Sequence, residues 1–432
     1  MRFFSSLFLI FVFIGCEQNN ETQSVVSNNS HEAYIQLRDA FEVEGYQGEK
    51  VSEKAAAVFR KQRDSLLLTY RREKRFPLKG GFYAARNEIA ASPMFKMLKS
   101  MPKGGLLHTH DLALGSAWML VDLAISTPDC YVYWGEDTEQ FIKGQLGFYK
   151  PGQAPGGFMQ TSVLNSMSNR FRNDLYDLLT FDNQDVTESK DVWVPFENQF
   201  RRRIGLLQYR PTMIPYFVAA FDSLAQDGVQ HVEIRSILSD GLYDLEHDRG
   251  YYTIDSMVNG FREALAITQE KYPDFSLKII HTGLRFLPPN IVKADLAKGY
   301  ALRKRNPDMI VGYDLVGQED GGKPTLMHLD CCWLKRDSLR EAYGVDLPLF
   351  LHDGETNWPD NDNLLDAALL DVKRIGHGLN VFRYPQVEKR AKEQGICIEV
   401  SPISNQILGY VHVLRIHPGA GYFRRGVPIA LS

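Results

Sequence analysis

The chain has 432 residues, 44% of them hydrophobic and 24% charged, which is globular material long enough for one large domain with additions or for two domains. A formal net charge of -4 without a long basic block argues against nucleic acid as the main partner and favours a small or neutral ligand. Five cysteines, Cys16, Cys130, Cys331, Cys332 and Cys397, show no Cys-x-x-Cys spacing, so neither a cysteine-based zinc site nor a thioredoxin-like motif is indicated, and the last four read as small buried thiols.

Met1-Arg2 and the apolar run from Phe3 to Ile14 have the charged start and short hydrophobic stretch of an export signal, too short to span a bilayer. Residues 1–16 are therefore expected to direct export. Gly15-Cys16 resembles the lipobox of bacterial lipoproteins, which implies a lipid on Cys16 and a location secreted or anchored at the cell envelope. The polar stretch 17–30 cannot bury enough apolar surface to order itself and reads as a flexible tether. Residues 31–84 read as a helical N-terminal extension, with Ala55, Ala56, Val58, Phe59, Leu66, Leu67 and Leu68 at amphipathic spacing, packed on the body or used for self-association. A further helical stretch, 85–99, leads into Met101-Pro102-Lys103-Gly104 and the main domain, 85–432.

From Gly104 onward, short apolar runs alternate with helix-length segments. The runs fall at 104–110, 229–236, 277–285, 309–317, 347–355, 374–380, 397–404 and 427–432. Several are apolar nearly throughout, as parallel strands covered on both faces are. Eight strands separated by helices indicate a (β/α)8 TIM barrel. An open doubly wound sheet competes, but no Gly-x-Gly-x-x-Gly follows any of the runs. About 118 residues separate the first run from the second, far more than one crossover needs. The portion from about 120 to 192 reads as an inserted subdomain, and inserts at the C-terminal ends of barrel strands overhang the site.

Function in such a barrel belongs at the C-terminal strand ends. The first run ends in His108-Thr109-His110, and residues i and i+2 of a strand share a face, which is how two imidazoles grip one metal ion. The fifth ends in His352-Asp353-Gly354-Glu355 and the sixth in Gly376-His377-Gly378. His108, His110 and His352 would supply three zinc ligands with a position open for water. Glu355, three residues past His352, can reach a reacting atom as a general acid, and His377 can take the proton of the attacking water. His31, His231, His247, His281, His328, His412 and His417 read as structural or exposed.

These residues resemble the adenosine deaminases, and within them the secreted adenosine deaminase-like growth factor branch. The matching stretches are Met101-Pro102-Lys103-Gly104, His108-Thr109-His110-Asp111, Trp193 with Phe196 and Glu197, Val232-Glu233-Ile234-Arg235, Asp314-Leu315-Val316-Gly317, His352 to Trp358, Arg374-Ile375-Gly376-His377-Gly378, and Glu399 to Gln406. The resemblance implies zinc-dependent hydrolytic deamination of adenosine or 2'-deoxyadenosine to the inosine product and ammonia. One Zn2+ per chain would be held by His108, His110 and His352, with Glu355 protonating the purine ring and His377 acting on the attacking water. Asp111 would contact the ribose, Trp193 and Glu197 would line the nucleoside pocket, and Gly317 would offer backbone contact to the base. The branch's N-terminal helices imply a homodimer.

The sequence also departs from that pattern. Leu284 stands where many members of the branch carry a substrate-contacting histidine, which leaves open another amino-purine as substrate, or a catalytically impaired binding or growth-factor-like role. Asp353 replaces a small residue after the third zinc histidine and adds a carboxylate near the site. Cys130 has no nearby partner for a disulfide. The family's eighth strand finishes in Ser-Asp-Asp, with the first Asp a zinc ligand. Here Val427 to Ser432 reaches only the serine, so the sequence is expected to be truncated at its eighth strand.

Overall fold

A computed structural model of the chain describes residues 35–36, 52–76, 81–136, 145–180 and 191–432; the expected export signal, Cys16 and the tether lie outside the described residues. The chain divides into two compact units, Met1–Tyr46 and Gln47–Ser432, and everything below concerns the second. Its first helix, Glu53–Arg72, buries no side chain. Two shorter helices, Phe82–Ala91 and Pro93–Lys99, follow in place of the single stretch expected. Ser92 breaks the run by capping the second helix, its hydroxyl accepting from Phe95 N at 3.1 Å, with Pro93 in the first turn.

Strand β1 (Gly104–His110) opens the main domain. After the helix Ala117–Ser126 comes a small antiparallel sheet of β2 (Cys130–Tyr133), β3 (Gly147–Phe148) and β4 (Phe158–Gln160), with β2 in the middle. Helices Thr161–Met167 and Phe171–Leu179 complete the described part of this excursion. Two long helices, Trp193–Gln208 and Arg210–Gln226, then return the chain to the barrel.

The remaining strands are β5 (Val229–Ser236), β6 (Ser276–Leu284), β7 (Ile310–Val316), β8 (Phe350–Asp353), β9 (Arg374–His377), β10 (Cys397–Val400) and β11 (Ile429–Leu431). They pair in parallel as β1-β5-β6-β7 and β8-β9-β10-β11. A parallel bridge between Tyr313 and Leu349 joins the two sets. With helices between successive strands, this is the (β/α)8 barrel that the alternation of runs led us to expect. Val232, Ile234, Leu277, Ile279, Leu315, Leu351, Ile375 and Ile398 are buried, because the strands are covered on both faces. The crossover helix Ile254–Lys271 shows the complementary pattern: Met257, Val258, Phe261 and Ala264 face inward, and Thr253 with Ser256 forms a capping box at its start.

Four strands are clearly shorter than the sequence suggests: the sixth ends at His377 and the eighth spans only Ile429–Leu431, and the other two show why. The seventh barrel strand stops at Val400, since Pro402 begins the helix Pro402–Ile407 and its fixed φ suits a helical first turn. The fifth is confined to Phe350–Asp353: Pro348 has no N–H to donate, and Gly354 turns the chain with φ +83°. Among the described residues no helix is long and apolar enough to cross a membrane.

Candidate metal centre and active site

Four imidazoles meet at the C-terminal ends of β1, β8 and β9. Ring centroids lie 4.7 Å apart for His108 and His352, 4.8 Å for His108 and His377, and 5.1 Å for His352 and His377. His110 sits beside them, 5.6 Å from His108 and 5.2 Å from His352. Candidate ligand atoms of His108, His352 and His377 all fall within 4.8 Å of one another. His377 rather than His110 thus completes the tightest trio, and local backbone explains why. His377 has φ +62°, a left-handed conformation that non-glycine residues adopt at a cost and that concentrates at functional sites. Beneath the rings, Gly376 leaves the necessary space, since a Cβ there would lie 3.2 Å from His108 and 3.3 Å from His352.

Buried ionic partners fix the rings. Glu399 lies 2.8 Å from His108 Nδ1 and Asp314 lies 2.7 Å from His352 Nδ1, which leaves each Nε2 for the shared centre. Arg235, 1% exposed, ties the two carboxylates together by donating to Asp314 Oδ2 at 2.6 Å and to Glu399 Oε2 at 2.5 Å. Arg374 extends the network to Glu399 and Glu233. Burial, reinforced by Arg235 and the neighbouring rings, holds His108 well below its usual pKa. Burial and His352 bring His110 down to about 3, and burial with His352 lowers His377. These three rings are neutral, the form in which imidazole binds a metal.

Glu355 follows the turn at Gly354. Glu319 holds that turn, accepting from Gly354 N at 3.0 Å, Glu355 N at 2.6 Å and Asn363 Nδ2 at 2.7 Å. The Glu355 carboxyl is buried, and its Oε1 lies 3.3 Å from His377 Nδ1 without hydrogen-bond geometry. Burial and the Glu319 charge push its pKa well above the usual carboxylate value, which favours the protonated form facing the histidines. On its other side, His377 Nδ1 lies 3.1 Å from Asn405 Nδ2, and Asn405 Oδ1 lies 3.0 Å from His417 Nε2.

The residues expected to contact substrate are more dispersed. Asp111 follows His110 directly; its carboxylate accepts from Ser236 Oγ at 2.5 Å and Leu112 N at 2.7 Å, and burial raises its pKa to about 6. Trp193 is buried, its indole donating to the Tyr410 hydroxyl at 3.0 Å. Glu197 lies one turn further along the same helix, partly exposed, 3.6 Å from Arg201. Gly317 ends β7 with φ +105°. Asp353 is held by Arg285 at 3.2 Å and Thr325 Oγ1 at 2.8 Å. Sequence reasoning gave no role to Arg235, Glu319, Glu399, Asn405 or His417. Charged residues inside apolar strands, such as Arg235 and Glu399, are the signal that could have found two of them. A cavity of about 490 Å3 lined by Met101, Gly228 and Lys271 opens where β1 and β5 begin, the end opposite the histidines. It contains none of the residues above.

A parallel barrel thus gathers four buried or half-buried imidazoles, with carboxylates behind two of them and a buried carboxyl group in front, at the C-terminal strand ends. The chain matches the sequence model of the adenosine deaminase family over residues 163–432 and belongs to that family. It is 34% identical over 349 residues to adenosine deaminase 2 of Dictyostelium discoideum, covering 79% of this chain but 63% of that protein. The chain therefore spans less than two thirds of that relative's length. In fold it is similar to an adenine deaminase from Arthrobacter aurescens (TM-score 0.52, 20% identity, 77% of this chain and 82% of that one). It is also similar to a Burkholderia ambifaria amidohydrolase with bound zinc (TM-score 0.50, 18% identity, 78% and 76%).

Proposed function

We propose that this chain catalyses the hydrolytic deamination of adenosine, and of 2'-deoxyadenosine, to the inosine product and ammonia. The carrying observation is the convergence of His108, His110, His352 and His377 with the buried Glu355 at one barrel mouth, in a member of the adenosine deaminase family.

The residues fit a zinc ion: donor nitrogens of His108, His352 and His377 lie within 4.8 Å of one another, His110 stands beside His108 and His352, and Glu399 and Asp314 orient two of the rings from behind. We assign His108, His110 and His352 to hold one Zn2+ per chain. The chemistry supplied there is Lewis-acid activation of water at neutral pH. His377, braced by Asn405, accepts the proton of the attacking water. Glu355 delivers its proton to the purine ring, which opens the amino-bearing carbon to attack, and the proton taken up by His377 passes to the amino group, which leaves as ammonia. In this reading Asp111, which directly follows His110, meets the ribose, Trp193 and Glu197 line the nucleoside pocket, and Gly317 offers its backbone to the base.

Residues 1–16 direct export in this reading, the partners are the nucleoside, a possible second copy through the N-terminal helices, and a membrane only through lipid on Cys16, with no nucleic acid. The exposed helix Glu53–Arg72 is consistent with self-association. Leu284, at the end of β6, supports a second reading in which another amino-purine is the substrate. Following ultraviolet absorbance of adenosine with zinc-loaded protein separates the two. Turnover of adenosine supports the first, turnover of adenine or a substituted amino-purine alone supports the second, and turnover of none overturns both.

A further inference from the structure

We propose that His328, Cys331 and Cys332 form a second metal site, a structural one for zinc, additional to the catalytic ion and independent of it. Their candidate donor atoms, one imidazole nitrogen and two sulfurs, lie within 4.8 Å of one another. The spacing does this locally. Residues three and four apart stack along one turn, and Cys332 N donates to His328 O at 2.9 Å, so both cysteines come back over the histidine.

Two observations point to a ligand rather than to packed thiols. His328 is fully buried, yet neither ring nitrogen meets hydrogen-bond geometry with a partner among the described residues, although buried polar atoms are nearly always paired. The Arg285 backbone approaches the ring without meeting hydrogen-bond geometry. The two sulfurs stand 3.1 Å apart, longer than the ~2.05 Å of a disulfide, and have no better acceptors than the backbone oxygens of Pro289 and His328 at 3.5 to 3.9 Å. Two thiolates and an imidazole, with no carboxylate in the set, select zinc over magnesium or calcium. Cys332 is buried but Cys331 is half-exposed, which gives an ion a way in and lets one side chain rotate to widen the sulfur pair.

The position gives the ion a task. Thr325, at the other end of the His328 turn, donates to Asp353 Oδ1 at 2.8 Å, and its carbonyl accepts from Trp333 Nε1 at 2.8 Å. Closing His328 onto Cys331 and Cys332 clamps both ends of this segment against the start of the helix Pro289–Arg305 and behind the strand that carries His352.

The test is a titration of the reduced, metal-free full-length chain with Cd2+, a thiophilic stand-in for zinc, read at the sulfur-to-metal charge-transfer band. The nitrogen-rich active site gives no such band. Because the histidine centre takes one equivalent without a band, the band is expected to saturate by two equivalents in the wild type and in a C16S/C130S/C397S variant and to vanish in C331S/C332S, and H328A is expected to weaken binding at least tenfold. A wild-type protein without the band, or with Cys331 and Cys332 oxidised to a disulfide under reducing purification, overturns the proposal however the variants fold. Retention of the band in C331S/C332S does so as well.

Discussion

The protein holds two clusters of metal-binding side chain types on the same rim, one of histidines and one of a histidine with two cysteines, and they are built in opposite ways. In the first, His108 and His352 each rest on a buried carboxylate, and Arg235 locks the two carboxylates together. In the second, neither ring nitrogen of His328 meets hydrogen-bond geometry with a partner among the described residues, and its companions are thiols on the same turn. The first is held in place by side chains from three barrel strands, Arg235 of β5, Asp314 of β7 and Glu399 of β10, before any ligand arrives. The second is local, and its geometry is left for a ligand to complete. Preorganisation suits a centre that must hold reacting atoms in line, whereas a site that only fastens a loop can draw its order from the ion itself.

This contrast can be broken or sharpened by substitution. The largest effect is expected from Glu355→Gln, which removes the proton donor: kcat should fall by about 10²- to 10⁴-fold while elemental analysis finds zinc still bound. His110→Ala should lose the metal and with it the activity; equal metal loss in both variants would contradict the assigned roles. Asp314→Asn loosens His352 from behind and should lower metal affinity by about 10- to 100-fold. The same variant strips a fully buried partner from Arg235, so denaturant unfolding should show a loss of roughly 3 kcal/mol. No substitution in the His328 cluster should lower kcat as far as Glu355→Gln does.

Smaller effects test the scaffold. Gly354 has φ +83°, and a Cβ there would meet Leu364 at 2.8 Å, so Gly354→Ala should cost about 1–3 kcal/mol in thermal unfolding and displace Glu355. The pH dependence is the finest probe. Burial opposes the charge on Asp314, but His352 and Arg235 outweigh it and hold its pKa below the usual value. A depressed carboxylate contributes stability that is present above its unfolded pKa of about 3.9 and is lost as pH falls through the folded value. Asp314→Asn should therefore flatten the decline of stability below about pH 4, and an unchanged acid limb would mean that Asp314 is not paired as described.

How much of this was legible in the sequence varies by region. All eight strands could be placed because parallel strands covered on both faces leave long apolar runs, and β5 matches its run residue for residue. Of the boundaries that slipped, those at Pro348 and Val400 are where a proline ends one element or begins another, and the one at His377 is where the backbone turns left-handed. His108, His110, His352, Glu355 and His377 were legible because polar residues interrupt apolar runs at strand ends. Glu399 and Arg235 sit within such runs too, but their partners lie 291 and 79 residues away in the chain, and no local spacing announces a pairing of that kind.

The sequence by itself determined the periodicity of the elements, their order and the chemical types available at each strand end, because these follow from side-chain polarity along a local repeat. Only the tertiary structure decided which imidazoles lie closest, since that depends on the left-handed backbone of His377, the space left at Gly376 and the closing of β8 beside β9. It also decided that His328 meets two thiols with both of its nitrogens unpaired among the described residues, because a buried atom without a partner exists only once the chain has folded around it.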